Sequence, residues 1–274
     1  MIGSLLYLTA SKPDIAFSVR VCSGFQAAPK ESHLIAVKQI IPYINGMSDY
    51  GIWYSRDSNE CLAGYSDADW GRCIDDKKST SSGCFYLGNN LVSWMSKRQN
   101  LVSLSMVEAE YIVATSCCAQ LFWMKKLLHD YGISQDTMCV FYDNTSAINL
   151  SKNPVQHSKS KHIEIRYHLI WDLVEEKTMY LEFITTDNQK VDIFTKPLDD
   201  LKFETLRKTI GVSIIPWTLS RVWTFCSLLH TCCIGLMCFC LFMFLTLTFA
   251  LFFFFGWFSV SCSVFECVQK FKNP

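Results

Sequence analysis

Short segments in which apolar and polar residues alternate dominate the middle of the chain. This two-residue period is typical of half-buried strands, and turn-forming residues such as those at 75–77 and 88–90 separate the segments. The pattern predicts four β-type runs, at residues 51–55, 62–66, 83–87 and 91–95. We therefore expect a sheet that starts with three antiparallel strands.

Beyond residue 100 the apolar spacing becomes that of helices. A long helix is predicted from about Ser105 to Tyr131, where Gly132 ends it. Strands then alternate with helices, with the strands at 139–142 and 179–184 and the helices at about 145–151, at about 163–175 and from 188 onward. This order predicts a mixed α/β fold with a mixed sheet flanked by helices.

The first 50 residues show two helical segments instead. Pro13 stands near the first position of one helix, and Pro29 precedes a second helix that runs to Gly46. Pro42 lies inside the second pattern, where it removes a backbone hydrogen bond at a cost of about 3 kcal/mol. We therefore expect the second helix to kink or end near Pro42.

A different composition marks the end of the chain. Residues 222–265 contain no Asp, Glu, Lys or Arg. This length exceeds the roughly 20 residues that cross a bilayer as a helix. The sequence therefore predicts a hydrophobic tail at 213–274, with a candidate transmembrane helix at about 234–258.

The charge balance excludes a strongly basic domain, because 25 Lys and Arg face 25 Asp and Glu. Any nucleic-acid contact would then need a local basic strip. Seven of the 14 cysteines precede the charge-free segment and none of them forms a Cys-x-x-Cys pair, so we expect buried thiols in a reducing compartment. The first residues lack the basic start and the long apolar run of a secretory signal.

Most acidic residues lie in turns or on polar faces, where a solvated surface position explains them. Glu110 does not fit this explanation, because it leads an apolar stripe that continues through Ala114 and Cys117 on the same helix. Its neighbour Glu108 has a structural role, since Ser105 and Glu108 match a capping box. A buried carboxylate needs a cation, so Glu110 is a candidate metal ligand.

Asp67 and Asp143 stand at the ends of predicted strands. Strand interiors normally exclude carboxylates, and ligands collect outside the carboxyl ends of strands in sheets with helical crossovers. A helix cap is the alternative role for Asp143. Asp192, taken alone, is expected to be an ordinary exposed helix residue. Together with Glu110 these acids would suit Mg²⁺, and two such ions activate water and stabilise the leaving oxygen in phosphodiester hydrolysis.

Seven short motifs follow one another in a fixed order. They are Gly-Tyr-Ser-Asp-Ala-Asp-Trp at 64–70, Lys-Ser-Thr-Ser at 78–81, Val-Ser-Trp at 92–94, Glu-Ala-Glu-Tyr at 108–111, Tyr-Asp-Asn at 142–144, Lys-His-Ile-Glu-Ile-Arg-Tyr-His at 161–168 and Asp-Ile-Phe-Thr-Lys-Pro-Leu at 192–198. In this order they resemble the ribonuclease H region of copia-type LTR retrotransposon Pol polyproteins. Residues 3–16 resemble the end of the same polyprotein's reverse transcriptase. The expected domains are a helical remnant at 1–50, a ribonuclease H-like domain at 51–212 and the tail.

The resemblance implies a ribonuclease H-like fold, with a five-stranded mixed sheet flanked by helices. It also implies hydrolysis of the RNA strand in RNA/DNA hybrids. It implies two Mg²⁺ ions, with Mn²⁺ as a substitute, held by Asp67, Glu110, Asp143 and Asp192. This support matters most for Asp192, whose role the residues alone leave undecided. The implied location is a cytoplasmic virus-like particle or the nucleus, with membrane association if the tail inserts. One departure is the loop at 185–189, which lacks the His that many ribonucleases H carry before the last acid.

Hybrid binding would depend on phosphate contacts, minor-groove shape and the 2′-hydroxyl groups of the RNA strand. The candidate contacts are Lys78, Ser79, Thr80, Lys97, Arg98, Lys161 and Arg166. Ordinary solvated charge is an equal alternative for these residues. His162 and His168 are expected to be structural or to contact the hybrid rather than to bind metal.

Three functions remain open from the sequence. The chain is an active hybrid nuclease, a catalytically idle retroelement fragment that keeps the fold, or a membrane-anchored protein of unrelated role. The presence of all four acids favours the first, whereas Pro42 and the tail favour the second. The tail itself is either a membrane anchor or read-through of sequence outside the ancestral gene. No Tyr-x-Asp-Asp stretch is present, so polymerase activity is not expected.

Overall fold

The computed structural model describes residues 1–71, 73, 76–145, 148, 170 and 172–215. Its helices are α1 (Ile2–Leu8), α2 (Ala16–Ser23), α3 (Glu31–Gly46), α4 (Met106–Asp130), α5 (Asp192–Thr195) and α6 (Asp200–Thr209). Its strands are β1 (Tyr50–Ile52), β2 (Leu62–Asp69), β3 (Thr80–Leu87), β4 (Asn90–Arg98), β5 (Met138–Tyr142), β6 (Met179–Phe183) and β7 (Val212–Ile214). Short 3₁₀ turns occur at Pro13–Ile15 and Thr186–Asn188.

Five strands form one mixed sheet in the order β4-β3-β2-β5-β6. The pairs β2–β3 and β3–β4 are antiparallel, whereas β2–β5 and β5–β6 are parallel. The predicted mixed α/β fold with a five-stranded sheet is therefore confirmed. Because β2 and β5 run in parallel, their carboxyl ends meet at the same edge of the sheet.

Helix α4 covers one face of this sheet and begins where the sequence predicts. The Ser105 hydroxyl accepts the N–H of Glu108 at 3.1 Å, and the Glu108 carboxylate accepts the N–H of Leu104 at 2.6 Å. The predicted apolar stripe is buried along the helix. At Gly83 of β3 an added Cβ would lie 2.7 Å from the Cys117 Sγ, so this close helix–sheet contact requires glycine.

The opposite face packs against α5, α6 and the N-terminal helices. Tyr65 and Tyr86 of the sheet share an apolar cluster with Phe194 of α5. The N-terminal helices are fastened to β4, because Arg20 donates to the carbonyl of Ser96 at 2.9 Å. The indole N–H of Trp94 likewise donates to the carbonyl of Thr9, at 2.8 Å. Helix α2 thus packs on the sheet, and α1 and α3 pack on α2. The expected domain boundaries near 50 and 212 stay predictions.

Several local expectations differ from the structure. The helix does not end at Pro42, since α3 continues to Gly46, where the sequence predicts its end, and buries Val37 and Ile40. The first 50 residues hold three helices rather than two. The run predicted at 51–55 does not join the main sheet, because β1 pairs with β7 in a separate two-stranded sheet. The partner strand lies at the other end of the described chain, beyond the reach of a local pattern.

Cysteine burial agrees with the sequence in part. The seven cysteines before the charge-free segment are free thiols. Burial is as expected for five of them, and is not observed at Cys61, which is exposed, or at Cys73, which is partly exposed. None of the seven belongs to the group of possible metal ligands found among the described residues.

Some expectations lie partly or wholly outside the described residues. Of the helices predicted at about 145–151 and 163–175, only Thr145, Ile148, Ile170 and 172–175 are described, and these are helical. The predicted tail lies outside the described residues from 216 onward. In the part of the chain that the structure describes, no helix has both the length and the apolar character needed to cross a membrane.

Candidate metal centre

Asp67 lies on β2, close to the carboxyl end of the strand and opposite Ser82 of β3. It is only 6% exposed, although a strand interior normally excludes a carboxylate. Burial raises the pKa of Asp67 to about 6, since the lowering effect of Lys196 is opposed by Asp143 and Asp192. Without a cation this position therefore disfavours the charged form of Asp67.

Glu110 reaches the same place from the second turn of α4. Its Oε1 accepts the backbone N–H of Ala68 at 3.3 Å. Its Oε2 is buried and has no hydrogen-bond partner among the described residues. Burial, followed by the charges of Asp67 and Asp143, raises the pKa of Glu110 to about 9. Such an unpartnered acceptor beside two further acids is an environment that a bound cation would stabilise.

Asp143 completes the group. It follows β5 directly and is half-buried, and the Thr186 hydroxyl lies 3.5 Å from its Oδ2. Asp67, Glu110 and Asp143 each offer a carboxylate oxygen, and these oxygens lie within 4.8 Å of one another. We refer to these three residues as the acidic triad. The parallel pairing of β2 with β5 brings two of its members to one sheet edge, as the strand-end argument anticipates.

Asp192, the fourth predicted ligand, lies beside the triad but has different partners. It is the first residue of α5 and is fully buried. The expectation that Asp192, taken alone, is an exposed helix residue is therefore wrong. Its Oδ1 lies 2.9 Å from the Nζ of Lys196, and its Oδ2 lies 2.9 Å from the Nζ of Lys202. Lys196 is also 3.9 Å from the Oδ2 of Asp67. Asp192 is therefore paired with two ammonium groups, of which Lys202 also donates a hydrogen bond, whereas the Oδ1 that faces Lys196 has no hydrogen-bond partner among the described residues.

Sequence reasoning missed Lys196, Lys202 and Gln189. The four-residue spacing of Asp192 and Lys196 on a helix was a usable signal for the first ion pair. Gln189 is fully buried in the loop before Asp192 and donates to the carbonyl of Ser66 at 3.2 Å. It fastens that loop to β2, and no local pattern marks a contact between residues so distant in the chain.

Comparison with known proteins assigns the chain to a family. Over 212 residues, 77% of its length, it is 37% identical to the retrovirus-related Pol polyprotein from transposon TNT 1-94 of Nicotiana tabacum. It is 38% identical over 217 residues to the corresponding polyprotein from transposon RE1 of Arabidopsis thaliana. The chain belongs to the copia-type retrotransposon Pol polyproteins. It spans 16% and 15% of the length of these two relatives.

No family model matches the chain. Among solved structures it is similar to LC11 ribonuclease H1 in complex with an RNA/DNA hybrid, at 12% identity and a TM-score of 0.38. That similarity covers 49% of the present chain and 93% of the other. The chemistry available to the carboxylates of this chain follows from their own geometry.

Some of the residues predicted to contact the hybrid lie at the sheet edge that carries the acidic triad. Thr80 pairs with Asp69 of β2, and Arg98 pairs with Thr80 in turn. Arg98 forms an ion pair with Asp76, which reduces its availability for phosphate. Lys97 is exposed and Lys78 is partly exposed.

Other predicted contacts have structural partners or fall outside the description. Ser79 is fully buried, and its hydroxyl accepts the N–H of Gly71 at 3.1 Å, so it stabilises the turn before β3. Lys161 and Arg166, together with the histidines at 162 and 168, lie outside the described residues.

Proposed function

We propose that this chain is the ribonuclease H part of a retrotransposon Pol polyprotein and hydrolyses the RNA strand of RNA/DNA hybrids. The observation that carries the proposal is the acidic triad. Its three carboxylates come from β2, from α4 and from the residue that follows β5, and they present oxygens within 4.8 Å of one another. Packing three acids this closely costs stability unless a cation joins them, so a purely structural role is disfavoured.

The donor set fits a hard divalent cation. All three donors are carboxylate oxygens, which Mg²⁺ prefers and which Mn²⁺ also accepts. Asp67, Glu110 and Asp143 would hold the ion, and the partnerless Glu110 Oε2 is an available acceptor. A bound ion supplies an activated water at neutral pH and stabilises the leaving oxygen of the phosphodiester. The two-ion arrangement, with Asp192 as a further ligand, is part of this proposal.

The chain's own residues would position the hybrid. Lys78, Thr80, Lys97 and Arg98 at the adjacent ends of β3 and β4 would contact backbone phosphates, with Lys161 and Arg166 as further candidates. The buried Gln189 contact with Ser66 holds the loop before Asp192 against β2, which fixes one wall of the centre. Recognition of the RNA strand would depend on its 2′-hydroxyl groups rather than on base sequence.

The wider setting follows from family membership as part of the same proposal. The chain would act beside the reverse transcriptase of its polyprotein, in a cytoplasmic virus-like particle or in the nucleus. The other two functions, an idle fragment and a membrane-anchored protein, differ from this one in whether the triad takes part in a reaction.

Cleavage of a labelled RNA/DNA hybrid by the full chain in Mg²⁺ tests the proposal. We expect Asp143→Asn to lower the rate at least about 100-fold, because a catalytic ion supplies several kcal/mol and about 1.4 kcal/mol corresponds to tenfold. The matched control is Asp136→Asn, an exposed acid before the other end of the same strand, which should cleave like the wild type.

Two results would contradict the proposal that this chain is a nuclease. The first is equal cleavage by the wild type and Asp143→Asn, which would indicate a contaminating enzyme. The second is no cleavage by the wild type when the same preparation binds Mg²⁺ and is folded by circular dichroism, which would favour the idle fragment.

A further inference from the structure

The ammonium group of Lys196 lies between two of the predicted metal ligands. It is 2.9 Å from the Oδ1 of Asp192 and 3.9 Å from the Oδ2 of Asp67. An oxygen of Asp192 and an oxygen of Asp67 therefore already share one positive charge. In a two-ion centre, a cation that joined these carboxylates would need the space that the ammonium group fills.

The remaining oxygen of Asp192 is occupied as well. Lys202 of α6 contacts the Oδ2 at 2.9 Å. Among the described residues, the group able to share one ion consists of Asp67, Glu110 and Asp143, without Asp192. Asp192 is thus fully buried and paired with two ammonium groups, and it does not belong to the group formed by the triad.

Lys196 is partly exposed to solvent. It directly follows α5, four residues after Asp192, and its side chain is 27% exposed. The residue itself has extended backbone at the end of α5, with φ −141° and ψ 155°. A lysine side chain is a flexible four-carbon stem, so its ammonium group can leave while the backbone stays in place.

We propose that Lys196 occupies the second cation position and that a second divalent ion binds only when the Lys196 ammonium group leaves. The free protein would then hold one divalent ion at the triad and resist a second. This inference rests on the proposed function for the location of the ions, but it concerns binding in the absence of nucleic acid. Like charges placed together oppose each other, which is the physical basis of the competition.

Isothermal titration of the full chain with Mn²⁺ and with Mg²⁺, without nucleic acid, tests this competition. We expect the wild type to bind one ion, and Lys196→Met to bind a second at least about tenfold more tightly than the wild type does, because the opposing charge is gone. Lys196→Arg keeps the charge and should resemble the wild type. The control is Lys208→Met, which removes an exposed lysine that pairs with Glu204.

Each other outcome overturns the inference. If Lys196→Met and the wild type bind the same number of ions with the same affinities, Lys196 does not compete. Two ions of similar affinity in the wild type would also exclude an occupied second position. If Lys196→Met does not fold, Lys196→Gln replaces it under the same expectations. Failure of the nuclease proposal remains distinguishable, because it appears as ion binding at the triad without hybrid cleavage.

Discussion

The acidic triad and Asp192 are neighbouring acidic regions with opposite surroundings. In the triad, each carboxylate faces other carboxylates, and burial raises the pKa of Asp67 to about 6 and that of Glu110 to about 9. Asp192 is more deeply buried than either, at 0% exposure against 6% and 3%, yet two lysines contact it. Burial alone therefore does not identify a metal ligand, and the charge of the neighbours decides whether a cation is still needed.

The two regions also differ in how the chain builds them. The triad draws on β2, α4 and β5, so its geometry depends on the sheet and on the helix packed across it. Asp192 and its two lysines come from α5, the residue that ends it and the start of α6, within eleven consecutive residues. The triad therefore depends on the whole fold, whereas Asp192 and the lysines that pair with it come from one short stretch of the chain.

The largest expected effect on stability is at Asp192. Asp192→Asn should lower the free energy of unfolding by about 3 kcal/mol, because it leaves two partly buried ammonium groups without their carboxylate. Urea unfolding in a chelator measures this effect without metal. Asp67→Asn is the matched comparison and should cost much less, since Asp67 has a single, longer contact with a lysine. Equal losses in both variants would remove the distinction between the two regions.

Glu110 is expected to behave in the opposite way. Glu110→Gln should raise the stability of the metal-free protein by about 2 kcal/mol at pH 8, because the folded wild type has to keep the buried Glu110 protonated, whereas the unfolded chain releases that proton. In the wild type, stability should fall as pH rises from about 4.5 towards 9, the interval between the ordinary and the raised pKa of Glu110. Below that interval both states are protonated, and the difference disappears.

Thermal unfolding from pH 4 to pH 9, with and without Mg²⁺, measures this difference. Glu110→Gln should show a shallower decline than the wild type in chelator and a smaller stabilisation on adding Mg²⁺. Glu60→Gln, an exposed acid, is the control and should follow the wild type at every pH. A parallel pH dependence in Glu110→Gln and the wild type would mean that Glu110 is not the group responsible.

The sequence could indicate Glu110 because its evidence is local. The capping pair Ser105 and Glu108 fixes the start of α4, and the spacing of Ala114 and Cys117 then sets the buried face. Asp67 and Asp143 needed one more step, the parallel pairing of their strands, which the alternation of strands and helices predicts. These parts of the fold and site follow from patterns a few residues long.

The environment of Asp192 could not be predicted in the same way. The sequence suggests one helix from about 188, whereas α5 ends at Thr195 and Lys196 is extended. The residue before a proline avoids helical backbone, and Pro197 therefore ends α5 and frees Lys196 to contact two acids. The contact of Lys202 depends on how α6 packs against α5, which is a tertiary property. The pairing of β1 with β7 was missed for the same reason.

The smallest effect is expected at Lys202. Lys202→Met should lower the free energy of unfolding by about 1 kcal/mol, because its side chain is 33% exposed and a solvent-exposed ion pair contributes little. Asp192 would keep its contact with Lys196, so the carboxylate is not left alone in the interior. Urea unfolding of this variant beside Asp192→Asn therefore separates the two ammonium contacts. A loss as large as that of Asp192→Asn would show that Lys202, and not Lys196, is the main partner of Asp192, and Lys196 would then be held mainly by the triad.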